Sequence, residues 1–170
     1  MKKKVAVFGS INMDQVARVE RFPRPGETIK GLDFSQVPGG KGANQAVAAA
    51  KLGAAVPLFG LVGDDPFGDK LIDELKGDGV DTSFMERRQG SSGLALIQVD
   101  HSGENQIVII PGANGKVDEN YANKSLDAIM EAEVLLLQLE IPFETTAYLL
   151  KQLKLAGSDG PQVVLDPAPA

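Results

Sequence analysis

The chain has 170 residues, 43% of them hydrophobic and 24% charged, with a formal net charge of −6. Those proportions describe one globular unit able to bury a sizeable core, and they exclude disordered, collagen-like and membrane-spanning polymers. With 23 acidic residues against 17 Lys plus Arg, nothing offsets a phosphate backbone, so nucleic acid is not an expected partner. The absence of cysteine removes disulfides, thiolate nucleophiles and Cys-based zinc sites together, and suits a reducing cytoplasm.

Lys2, Lys3 and Lys4 precede an apolar run, 5–8, that is too short for a signal peptide and reads instead as a strand buried on both faces. The mixed segment 11–20 predicts an exposed strand, and the proline-rich turn at 22–28 leads to a second strand over about 29–37. Gly39 to Asn44 opens an alanine-rich helix that runs through Leu52 and stops at Gly53. Residues 57–62 form the next buried strand, and Asp64, Asp65 and Pro66 provide a cap for a helix with Phe67, Leu71 and Leu75 on one face.

Residues 94–100 and 106–110 read as a hairpin around His101 to Glu104. A helix over 119–132, a strand over 134–139, a helix over 143–155 and a strand over 162–165 follow. Strand and helix in alternation predict an α/β body with a parallel sheet and crossover helices. The two hairpin regions, about 11–38 and 94–110, fall outside that alternation and predict a small antiparallel β lid.

Ligands of open α/β sheets lie beyond the carboxyl ends of the parallel strands. That rule nominates Asn12 and Asp14, then Asp64 and Asp65, then Glu140, then Asp166. Asn12 and Asp14, two apart in an extended stretch, project to one side, where an amide and a carboxylate suit a polyol; taken by itself, the pair is better read as a turn at a strand end. The Gly39 to Asn44 segment lets a ligand approach the backbone at a helix N-terminus, with Lys41 and Asn44 on one face, or is simply a flexible turn. It is neither a Walker A loop nor a dinucleotide fingerprint, since Ser35, Gly42 and Gln45 stand at the wrong positions. Asp65 fits a helix cap, His101 has no second ligand beside it, and Arg87 with Arg88 fits a solvated surface pair.

Seven segments, in register from end to end, carry a resemblance. They are Gly9-Ser-Ile-Asn12-Met-Asp14, Pro25-Gly-Glu-Thr28, Gly39-Gly-Lys-Gly-Ala-Asn-Gln-Ala46, Gly63-Asp-Asp-Pro-Phe-Gly68, Gly103-Glu-Asn105 with Gly112-Ala-Asn114, Gln138-Leu-Glu140 and Asp166-Pro-Ala-Pro-Ala170. Together the chain resembles the ribokinase-like, pfkB-type carbohydrate kinases. The resemblance implies a three-layer α/β body under a β lid, and transfer of the γ-phosphoryl of Mg-ATP to the primary hydroxyl of a sugar, with D-ribose and its O5 expected first and K+ as monovalent cation.

It further implies that Asn12, Met13 and Asp14 meet the sugar hydroxyls, that Gly40, Lys41, Gly42, Ala43 and Asn44 form a sugar clamp, and that Glu140 adds a contact. A cytoplasmic homodimer paired through the lid is implied as well. The family's Asp-Thr-x-Gly-Ala-Gly-Asp motif, which supplies the base and the phosphate donors, occurs nowhere in residues 1–170. Residues 1–170 are therefore expected to be the N-terminal, sugar-binding part of one domain, with no catalytic, cofactor or metal residue of their own. A sugar- or nucleoside-binding module without catalysis, a related kinase such as a fructokinase, and a lid-mediated interaction protein are the alternatives.

Overall fold

The computed structural model of the protein describes residues 2–157 and 160–169; Ala170, the last residue of the Asp166 segment, lies outside them. In chain order come β1 (Val5–Phe8), β2 (Asn12–Val19), β3 (Gly31–Gly39), α1 (Lys41–Lys51), β4 (Leu58–Phe59), β5 (Leu61–Gly63) and α2 (Pro66–Gly77). They continue with β6 (Glu86–Arg88), β7 (Gly93–Val99), β8 (Asn105–Ile110), a 3-10 turn (Gly112–Lys116), α3 (Glu119–Met130), β9 (Val134–Leu137), α4 (Phe143–Ala156) and β10 (Gln162–Leu165).

The body is a parallel sheet in the order β10-β9-β1-β4, with Val5 beside Val134 and Val7 beside Leu58. Alternate side chains of β1 leave it in opposite directions. Ala6 and Phe8 pack with Leu135, Leu137 and the α3–α4 residues Tyr121, Ile129 and Leu149. Val7 packs on the other side with Ala43 and Ala46 of α1 and Leu71 and Leu75 of α2. Each fully buried large apolar side chain contributes roughly 1.5–3 kcal/mol against exposure, and the small residues of α1 let that helix lie close to the sheet. The result is the expected three-layer α/β arrangement.

The second sheet has the order β3-β2-β7-β8. Both hairpins, β2 with β3 and β7 with β8, are antiparallel as expected. They are joined by a parallel pair, β2 with β7, running from Asn12 beside Gly93 to Arg18 beside Val99. Parallel neighbours require a crossover, and here the chain passes through α1 and α2 before returning. Registration puts Asn12, Asp14, Ala95, Ile97, Ile107 and Ile109 on one face of this lid, while Gln15, Phe34, Leu96 and Val108 occupy the other.

Two expectations are corrected, and one unexpected strand, β6, is added. The single strand over 57–62 is broken at Gly60: β4 stays with β1, whereas β5 pairs with β6. The Gly60 N–H donates to the Tyr121 hydroxyl at 2.7 Å, and that hydroxyl donates to the Phe84 carbonyl at 2.8 Å. Burial pushes the Tyr121 phenol well above its ordinary range, so it remains a neutral donor and acceptor. The strand β6 itself, Glu-Arg-Arg, carries no apolar alternation to announce it. Finally β9 ends at Leu137 rather than at residue 139, because the Leu139 N–H turns away to the Ala168 carbonyl at 3.0 Å.

Candidate functional site

The site is assembled where β1, α1 and β9 end or begin within one small volume. Gly40, the residue before α1, has φ +91°, a left-handed conformation that L side chains rarely adopt. A Cβ there would also lie 2.8 Å from the Asn12 nitrogen and 2.9 Å from the Ser10 carbonyl oxygen. Only glycine allows the first turn of α1 to rest against the start of β2.

That first turn is capped from outside the helix. The Lys41 N–H donates to Glu140 Oε2 at 3.0 Å, the Gly42 N–H to Ser10 Oγ at 3.3 Å and the Ala43 N–H to the Ser10 carbonyl at 2.9 Å. Ser10 Oγ in turn donates to Glu140 Oε2 at 2.6 Å. A carboxylate at a helix N-terminus is favoured by the free amides and by the dipole. Glu140 therefore locks α1 to the end of β9 while one edge of it faces the cleft.

The cleft beside this cap has a volume of about 150 Å³, with Asn12, Asp14, Lys41, Asn44 and Glu140 on its polar wall. Ile107 and Ile109, on the same face of the lid as Asn12 and Asp14, complete its lining. A neighbouring hollow of about 420 Å³ shares Asn12, Ile109 and Glu140 and extends over Leu139 and Pro111. The Asp14 carboxylate lies directly over Gly39, where a Cβ would overlap its oxygens. Burial, with the Glu140 charge adding to it, raises the Asp14 carboxyl above its ordinary value of 3.8. No hydrogen bond among the described residues offsets that burial, which leaves a strong acceptor free to meet a ligand.

Of the residues nominated from the sequence, Asn12, Asp14, Gly40, Lys41, Asn44 and Glu140 line this cleft together. Met13 does not: it projects to the opposite side of β2 from its neighbours and is fully buried against α1 and α2. Ala43 is likewise a core residue, and the amide of buried Gly42 is already taken by Ser10. Asp65 caps α2 by accepting the Gly68 N–H at 2.9 Å, Asp64 accepts the Gly90 N–H at 2.6 Å, and Asp166 lies exposed beyond β10. His101 ties the lid loops together through the Glu20 carbonyl at 2.8 Å, and Arg87 pairs with Asp69 at 2.6 Å.

Ser10 and Asn114 were not nominated. The fully buried position of Ser10 cannot be read from a Gly-Ser dipeptide. Asn114, fully buried, bonds to Ile11 and Asn12; in sequence it is one more polar residue in a glycine-rich turn.

The family model described as pfkB family carbohydrate kinase matches residues 2–170. The chain is 43% identical over 169 residues to the ribokinase of Bacillus subtilis (strain 168), covering 99% of this chain and 56% of that enzyme. Among solved structures, the ribokinase of Thermotoga maritima superposes with a TM-score of 0.83 at 39% identity, over 97% of this chain and 52% of that one. Arabidopsis thaliana ribokinase complexed with ribose and ATP superposes with a TM-score of 0.85 at 34% identity, over 99% of this chain and 54% of that one. The chain thus spans about half the length of the curated relatives it matches. It belongs to the pfkB family of carbohydrate kinases.

Proposed function

We propose that residues 1–170 form one sugar-binding unit of an ATP-dependent ribokinase, holding D-ribose between the first turn of α1 and the face of the β lid that carries Asn12 and Asp14. The observation that carries this is the Asp14 carboxylate, half-buried and without a hydrogen-bond partner among the described residues, beside Asn12 and facing the first turn of α1. A carboxylate accepts hydroxyl protons, so vicinal hydroxyls repay its desolvation. Lys41 and Asn44 add further polar contacts, while Ile107 and Ile109 supply the apolar part of the lining. Identity to ribokinases across nearly the whole chain favours ribose over other sugars.

Bound Mg-ATP would supply the transferred γ-phosphoryl group, and the described residues do not fit it. The one helix N-terminus in the cleft already carries the Glu140 carboxylate, which repels a phosphate. No transfer step is assigned to these residues, nor any K+ site; they bind and orient the sugar.

Pairing of two lids in a homodimer is part of the same proposal, supported by Phe34 at 59% and Val108 at 61% exposure on the lid's outer face. No helix among the described residues is long and apolar enough to cross a membrane. A cytoplasmic location is part of the same proposal, supported by the likeness to ribokinases. The test is ATP-dependent phosphorylation by the full-length protein of D-ribose, 2-deoxy-D-ribose and D-fructose in parallel. The highest kcat/KM is expected for D-ribose; a preference for D-fructose, or no turnover of any of the three, overturns the assignment.

A further inference from the structure

The orientation of the Asn12 amide is set by the backbone. Ile11 offers both its main-chain groups to one side chain: its N–H donates to Asn114 Oδ1 at 2.9 Å, and its carbonyl accepts from Asn114 Nδ2 at 3.0 Å. Main-chain donor and acceptor cannot exchange roles, so the Asn114 amide has one satisfied orientation. Its remaining Nδ2 proton goes to Asn12 Oδ1 at 2.7 Å. Both side chains are buried, Asn114 at 1% and Asn12 at 3% exposure. Gly93 leaves the space they need, since a Cβ there would overlap Asn114 Nδ2 and Asn12 Oδ1. Reversing Asn12 would set two amino groups against each other away from water, with a buried acceptor lost as well.

We infer that Asn114 is a positioning residue that fixes Asn12 with its oxygen inward and its amino group toward the cleft, so that Asn12 acts on a ligand as a donor only. The inference rests on the sugar-binding assignment of the cleft. Asn12 lines the cleft, and its Nδ2 is not among the sealed, unpartnered atoms of the described residues. Beside it, Asp14 is an acceptor only. The pair is complementary to a hydroxyl group or a vicinal diol: an oxygen lone pair faces Asn12 and a hydroxyl proton faces Asp14. A ligand that presents an N–H to Asn12 is rejected, because two donors then face each other.

The test is calorimetric titration of the full-length protein with D-ribose. Asn114→Asp keeps the shape and the acceptor and removes the donor. It is expected to weaken ribose binding about tenfold in the wild-type background and less than about twofold in an Asn12→Ala background, because Asn114 acts through Asn12. An equal loss in both backgrounds, or no loss in the first, overturns the inference. If Asn114→Asp fails to fold, side-chain amide exchange measured by NMR on the wild-type protein decides. The Asn114 amino protons are expected to be more strongly protected than those of Asn12 without ligand, and those of Asn12 to slow on adding ribose. Asn12 protons as strongly protected as those of Asn114 in the free protein overturn the inference. Absence of ribose heat from the wild type defeats the sugar assignment instead, and the exchange pattern still decides the amide orientation.

Discussion

Ser10 and Glu140 lie 130 residues apart in sequence, yet the serine hydroxyl donates to the glutamate carboxylate at 2.6 Å. The same carboxylate oxygen accepts the Lys41 amide at 3.0 Å. Three segments of chain are thereby held at one point, and that point is the floor of the cleft.

Glu140→Ala should cost about 1–3 kcal/mol of folding stability, since it strands the Lys41 N–H and the Ser10 hydroxyl and removes a favourable charge from the start of α1. Glu140→Gln keeps an acceptor and should cost less. Urea unfolding of both variants checks the order.

Tyr121→Phe is expected to cost about 1–3 kcal/mol, because the Gly60 N–H and the Phe84 carbonyl lose their buried partner. The ring stays in place, with its centroid 5.7 Å from that of Phe8. Ribose affinity should be unchanged, as Tyr121 lies in the α3 core and not in the cleft. Thermal melts and titrations on the same preparation separate the two effects.

Asp14→Asn should raise the melting temperature by about a few degrees at neutral pH while weakening sugar binding, the usual opposition of stability and function. The Asp14 carboxyl is raised on folding above 3.8. The native state thus binds its proton more tightly than the unfolded chain, and the contribution of Asp14 to stability is fully present below the unfolded value and lost as pH rises through the folded one. The advantage of the variant is therefore expected to shrink toward zero below pH 3.8. Ribose affinity of the wild type should fall over the same descent, since a protonated carboxyl accepts less well. A melting series from pH 7 downward follows the first effect, and titrations the second.

Phe34→Asp, on the outer face of the lid, should shift the full-length protein from dimer to monomer in sedimentation, with the cleft intact. A wild-type monomer contradicts pairing through this face.

The body was legible because its pattern is local: four-residue apolar runs and capped amphipathic helices each announce themselves. The capping of α2 by Asp65 could be read from Asp-Pro alone. The break at Gly60 could not, because it depends on a hydroxyl delivered by Tyr121, 61 residues away. Nor could β6, whose strand form is imposed by pairing with β5. In the cleft, alternation along β2 separates Asn12 and Asp14 from Met13 and was available from spacing, yet resemblance alone had placed all three together. Ser10 and Asn114 carry no signal in the sequence, since their roles exist only once distant segments meet. Amide polarity in particular is a property of partners, not of residue type.

Calorimetric titration of the full-length protein with D-ribose, in parallel with Asp14→Ala, tests the sugar cleft most directly. Saturable binding is expected for the wild type, and none for Asp14→Ala despite an unchanged circular dichroism spectrum. No heat from the wild type at millimolar ribose, or undiminished binding by Asp14→Ala, would contradict it.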